Sequence, residues 1–365
     1  MKKIVLIMSV LVLIVGLGAI EFDISGESRT RAAYANDDNK TDGGWVDGKV
    51  NLFLDSQLHQ NLEFHMQAEI GDFVWGNGGA AVGTNESLHI REAYIDYSIN
   101  AIGAKIKFGL MEWADRNSLV LDDSFAGVML SKEFGDSFSS EFGFIKTHEG
   151  GEFAHDDKTT LMLNLATDGF LPMGAYGFYH FDRMNKDANI SFMPYVALDF
   201  EPITLDITAF LDIQMDLNED GDDTTMGLGG AVRAGLDLGM LEVSADVLMA
   251  TKHGLSTISP YYMNGLYIYG YGAHHDGLTL YWDTPYEGNA DLFMSLVGGV
   301  KANISEKFAL FGNGGYLIDT GMEVNAGVEY ELIPDLFGVS GYGAFGIHEN
   351  ETKNYAIGTT LNLKF

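Results

Sequence analysis

Arg29 and Arg31 stand two residues apart in ESRTRAAY, and Lys105 and Lys107 repeat that spacing in AKIKFGL. Acids follow the same rule: Glu63 and Glu69 in LEFHMQAEI, and Asp206 and Asp212 in LDITAFLDI, lie an even number of residues apart. Side chains of an extended chain alternate between two faces, so each pair shares a face, opposite its apolar neighbours. With Asp96 and Arg233 added, these residues form a candidate set of charges for one wetted wall. Two kinds of chemistry fit them. Arginines facing acids across a gap create a transverse field that orients polar solutes, whereas arginines paired with acids on the next strand only brace the wall.

Other residues carry weaker signals. Segment 113–124 begins WADRNSLVLDD and mixes Leu119, Val120 and Leu121 with Asp115, Arg116, Asp122 and Asp123. Such a mixture suits a loop folding into a lumen, or an outer loop packed on a rim. Segment 252–289 is long and rich in aromatic residues, among them Tyr261, Tyr262, Tyr267, Tyr269, Tyr271, Tyr281, Trp282 and Tyr286. A connection of that length points to a functional loop. Its rings suit stacking on sugars, sealing a vestibule or packing into a hairpin. Asp216, Asn218, Asp220 and Gly221 start like a calcium loop, but Gly227 stands where a bidentate glutamate belongs. That leaves a solvated acidic turn over Asp216–Asp223, or a loosely held divalent cation. His274 and His275 have no second ligand pair at metal spacing. No GxSxG, HExxH or phosphate-binding glycine motif occurs, so neither an enzyme nor a resident cofactor is expected. A formal charge of -31 argues against nucleic acid, which needs a basic footprint, and favours cations near a mouth.

The elements that must position these side chains are strands. Leu62, Phe64, Met66, Ala68 and Ile70 alternate with Glu63, His65, Gln67 and Glu69, and helical spacing is nowhere sustained for three turns. Eighteen such segments are predicted, near 21–34, 44–56, 60–73, 87–99, 103–112, 125–133, 138–147, 157–167, 174–182, 190–200, 203–216, 225–238, 241–251, 290–303, 307–319, 322–332, 338–348 and 353–365; sixteen is the alternative count. In the fourth, Ala93, Ile95 and Tyr97 face outward while His89 and Arg91 share their parity, which calls for a bulge or for a position beyond the lipid. Long polar connections alternate with tight ones, as in a barrel with two unlike rims.

The N-terminal MKKIVLIMSVLVLIVGLGA has the charged start, apolar stretch and small-residue exit of a secretory signal peptide over residues 1–19. Removing its two lysines takes the formal charge to -33. The chain has no cysteine, and a domain of this size does not need disulfides. At the other end, YAIGTTLNLKF puts Tyr355, Ile357, Leu361, Leu363 and Phe365 on one face. In hydrocarbon every backbone N–H and C=O must be paired, so this last strand has to bond to the first. The expected fold is therefore all-β, a closed transmembrane antiparallel barrel over residues 20–365.

The aromatic end of that terminal strand, the first strand EFDISGESRTRAAY, REAYIDYSI at 91–99 and IKFGLMEWADRNSLVLDDSFAGVML at 106–130 resemble the outer-membrane porins of diderm bacteria. The resemblance spans the chain at the level of architecture, and its motifs are degenerate. It implies a water-filled channel in the outer membrane, with lipid and lipopolysaccharide around it and the barrel-assembly machinery reading the last strand. It also implies a homotrimer and passage of small polar solutes. The expected function is passive diffusion with a preference for cations. A selective channel for sugars or small oligomers, or a structural or adhesive barrel, are the alternatives.

Overall fold

The computed structural model describes residues 22–36, 42–74, 88–135, 137–148, 158–169, 171–217, 224–270 and 291–365. The expected signal segment, Asp220, His274 and His275 lie outside these residues.

Eighteen strands follow one another: β1 (Asp23–Asn36), β2 (Asp42–His59), β3 (Leu62–Val74), β4 (Leu88–Ile99), β5 (Ala104–Ala114) and β6 (Asp122–Phe134). Next come β7 (Phe138–His148), β8 (Lys158–Thr167), β9 (Met173–Asp182), β10 (Asp187–Phe200), β11 (Ile203–Asp216) and β12 (Thr224–Asp237). The last six are β13 (Leu241–Thr251), β14 (Leu292–Ser305), β15 (Phe308–Leu317), β16 (Gly321–Ile333), β17 (Phe337–His348) and β18 (Lys353–Lys364). Each strand pairs antiparallel with the next. β18 pairs with β1, from Glu27 opposite Lys364 to Ala35 opposite Ala356, and this closes the cylinder. Phe365 completes the seam, exchanging backbone hydrogen bonds of 2.7 and 2.8 Å with Gly26. Closure leaves no open sheet edge, the condition for placing strands in hydrocarbon.

The outer face is apolar all the way round. Phe108, Phe142, Leu163, Phe192, Val300, Val324 and Ile357 are exposed there, with Val324 at 62%. Such a continuous apolar belt around the outside matches the lipid-facing band of a membrane barrel.

Within the cylinder the wall is not uniformly wet. Met111, Phe125, Met129, Ile145 and Met162 project inward from β5 to β8 and are almost fully buried. They pack with Leu119, Val120 and Leu121 of the β5–β6 connection and with Leu255, Tyr262, Leu266 and Tyr269 of the β13–β14 connection. Two connections thus turn inward and give the barrel a hydrophobic core. Burying each of these aliphatic side chains is worth about 1.5–3 kcal/mol.

Candidate functional site

The β5–β6 connection, residues 115–121, is wound around its own first residue. The Asp115 carboxylate accepts backbone N–H bonds from Val120 at 2.7 Å, Leu121 at 3.0 Å, Leu119 at 3.1 Å and Asn117 at 3.3 Å. The loop has no sheet partners for these donors, and one buried acid satisfies them. Burial pushes the Asp115 carboxyl above its usual range, and the four N–H groups pull against that shift. From this knot Arg116 reaches Asp206 on β11 and lies 5.5 Å over the Tyr195 ring. Asn117 donates to Asp206 at 3.1 Å and to Thr208 at 2.8 Å. The loop therefore crosses the interior from one part of the wall to another.

The β13–β14 connection lies against it. Val120 accepts from Ile258 at 2.8 Å, Ser118 accepts from Tyr261 at 2.8 Å, and Leu121 and Ser259 form a parallel bridge. Residues 256–269 then follow the wall, fastened to one strand after another. Ser256 donates to Asp212 on β11 at 2.7 Å. Tyr262 donates to Asp246 on β13 at 2.8 Å, and Arg233 on β12 holds both Asp246 and the Met263 carbonyl. Burial pushes the Tyr262 phenol far up, which keeps it a proton donor to the carboxylate. Tyr267, Ile268 and Tyr269 donate their backbone N–H groups to Glu323 on β16 at 2.7, 2.9 and 3.0 Å. The Tyr267 ring stacks on Tyr342 of β17 with centroids 3.9 Å apart. Tyr269 occupies the space that a Cβ on Gly346 would need, its hydroxyl oxygen being 2.8 Å and its nearest ring atoms 2.9 Å from that position. The segment forms an inner belt.

What the belt and the β5–β6 loop leave open is a cavity of about 1120 Å³ along β1–β5 and β16–β18. Its wall carries a chain of alternating charges. Lys49 pairs with Glu69, whose carboxylate lies 3.9 Å from Arg91, and Arg91 pairs with Asp123 at 2.7 Å. Arg29 and Arg31 line the same space. Arg31 meets Asp47 on the neighbouring strand at 2.8 Å, the bracing arrangement rather than an acid across the gap. In all, nine acidic residues and five basic ones face the cavity.

The anticipated residues thus fall into three groups. Arg29, Arg31 and Glu69 line the cavity. Asp115, Arg116, Asp206, Asp212 and Arg233 hold the inner loops in place. Glu63, Asp96, Lys105 and Lys107 belong to neither: Glu63 lies 3.7 Å from His65, Lys107 lies 4.6 Å over the Tyr94 ring and opposite Asp96 in register, and Lys105 is exposed. Lys49, Arg91, Asp123 and Glu323 were not among them. For Arg91 the cause is a bulge: Gln67 pairs with Glu92 while the next residue, Ala68, pairs with Ile90. The bulge leaves Arg91 unpaired and turns it inward against the parity of Ala93. Lys49, by contrast, was readable from its alternation with Val50 and Gly48 in β2. Of the acidic turn Asp216–Asp223, only Asp216 and Leu217 are described.

No family model matches the chain, and no curated protein does. Solved structures do match. Pseudomonas aeruginosa OpdO aligns over 94% of this chain and 97% of its own, with a TM-score of 0.66 at 11% identity. Pseudomonas aeruginosa OpdL gives a TM-score of 0.65 at 12% identity, with 94% and 99% covered. OpdK from the same organism, solved with vanillate, gives 0.62 at 11% identity, with 94% and 98% covered. At such identities the likeness is one of architecture: this chain has the closed 18-stranded barrel fold of the outer-membrane porins of the Opd and Occ type.

Proposed function

We propose that this protein is an outer-membrane channel of a diderm bacterium that passes small hydrophilic solutes and selects among them. The observation carrying this reading is that the loop 115–121 and the belt 256–269 fold into the lumen beside a charged cavity. A general diffusion pore needs a wide bore, while a bore confined by fixed carboxylates and guanidinium groups discriminates by size and charge. The solved structure of OpdK holds vanillate, a small organic acid, and its shared fold supports a selective channel here. The excess of acids in the cavity and the formal charge of -31 support a preference for cationic or zwitterionic solutes. Assembly as a homotrimer follows from the resemblance and is checked by the mass of the detergent-solubilised protein. The reading assigns no covalent step.

The experiment is a planar bilayer carrying the refolded protein under a KCl gradient. Small, steady conductance steps with a cation-biased reversal potential are expected. A silent membrane with correctly refolded barrel would reject the channel. Large steps indifferent to solute size would reject the selectivity.

A further inference from the structure

The buried acid Glu323 does more than fill a gap in the wall. It is only 1% exposed, and it stands on β16 facing inward. Its Oε1 accepts from Tyr267 N–H at 2.7 Å and from the Asn325 side chain at 3.0 Å. Its Oε2 accepts from Ile268 N–H at 2.9 Å and Tyr269 N–H at 3.0 Å. Three consecutive backbone donors converging on one carboxylate make an anion-binding concavity of the nest type. Here the anion comes from the wall and the nest from the loop. Asn325 supports the arrangement from the side, donating also to the Gly265 carbonyl at 2.9 Å and accepting from Asn313 at 3.0 Å.

We infer that Glu323 is the positioning residue that holds the inner belt against β16–β18 and so sets the bore and solute cut-off of the channel. The belt's other fastenings to the wall lie further back. Asp212 holds Ser256, and Asp246 with Arg233 holds Tyr262 and Met263. Beyond residue 263, the Glu323–Asn325 pair gathers three backbone N–H groups and the Gly265 carbonyl, while Asn354 reaches the Tyr269 hydroxyl at 3.4 Å. This pair sets where Tyr267 stacks on Tyr342 and where the Tyr269 ring lies over Gly346. The geometry demands a carboxylate. A glutamine in the same place offers one acceptor oxygen and turns an NH2 toward donors, so Glu323→Gln loses about half of the bonds and adds a donor–donor clash. The belt then detaches from residue 264 onward, while the sheet of β15, β16 and β17 keeps its backbone ladder.

The inference rests on the channel reading above, and one experiment separates the two. Wild type, Glu323→Gln and Ile268→Pro are refolded, their barrels checked by heat-modifiable gel mobility, and each is recorded in bilayers and in liposome swelling with sugars of rising size. Ile268→Pro removes one donor from the loop and leaves the wall untouched, so it stands in if the wall variant fails to fold. Both variants should raise conductance roughly twofold or more and admit larger sugars, since both scale with open cross-section. Glu323→Asp should recover part of the narrow state. A wild type that conducts while every folded variant matches it in conductance and cut-off would overturn the role of Glu323 and leave the channel standing. A silent wild type would overturn both.

Discussion

Arg116 and Asp206 are ion-paired across the interior of the barrel, one at the start of the β5–β6 loop and the other on β11, 90 residues along the chain. The pair sits beneath the knot centred on Asp115 and is flanked by Asn117. A wall-to-wall bridge of this kind fixes a loop that sheet hydrogen bonds cannot reach.

Asp115 gathers the backbone of that loop from within. Asp115→Ala removes the acceptor of four buried backbone N–H groups, at a cost of about 1–3 kcal/mol for each donor left unpaired. The barrel ladder does not depend on it. The expected outcome is a folded barrel with noisy, enlarged conductance steps in single-channel records.

Arg91 is a charge of the cavity wall, paired with Asp123 and close to Glu69. Arg91→Ala takes away the cation paired with Asp123, leaves Glu69 with Lys49 as its cationic neighbour, and makes the wall more negative. The reversal potential in a KCl gradient should move further toward the cation equilibrium value, and Arg91→Glu should move it more. Raising the salt from 0.1 M to 1 M should shrink both shifts, because the screening length falls from about 10 Å to about 3 Å.

Gly346 gives the Tyr269 ring its place, and a Cβ there meets the ring atoms below 3.0 Å. Gly346→Val should therefore push the ring off β17 and alter the solute cut-off. Strand pairing of Gly346 with Glu323 and Asn354 involves the backbone and remains. Liposome swelling with sugars of graded size reads the change.

Val324 marks the lipid face, 62% exposed next to the inward-facing Glu323. A lysine in the hydrocarbon zone of such a face costs about 2–4 kcal/mol near its middle and about 0–1 kcal/mol near its edges. Val324→Lys should lower the urea midpoint of the protein folded in vesicles, whereas Ile24→Lys, near the end of β1, should hardly change it. Equal shifts for both would contradict the assigned membrane belt.

The amino-acid sequence by itself pointed to the strands, to eighteen of them with sixteen as the alternative, and to the closure of the last strand onto the first, and the structure settled the count at eighteen. Alternation with period two is a local property, and lipid on one side enforces it in Leu62 to Ile70 as in Tyr355 to Leu363. The inward parity of Arg29, Arg31, Glu69 and Arg233 was legible for the same reason. Only the tertiary structure decided what these side chains meet. Arg233 holds a loop carbonyl and Asp206 receives Arg116, because each of these partners comes from a loop whose path no periodicity encodes, whereas Asp47, which braces Arg31, stands opposite it on the adjacent strand. Arg91 turned inward at a bulge, a one-residue shift that moves a side chain to the opposite face. Glu323 was not singled out by its sequence context. Its three backbone donors belong to a loop more than fifty residues earlier, and only folding brings them to it.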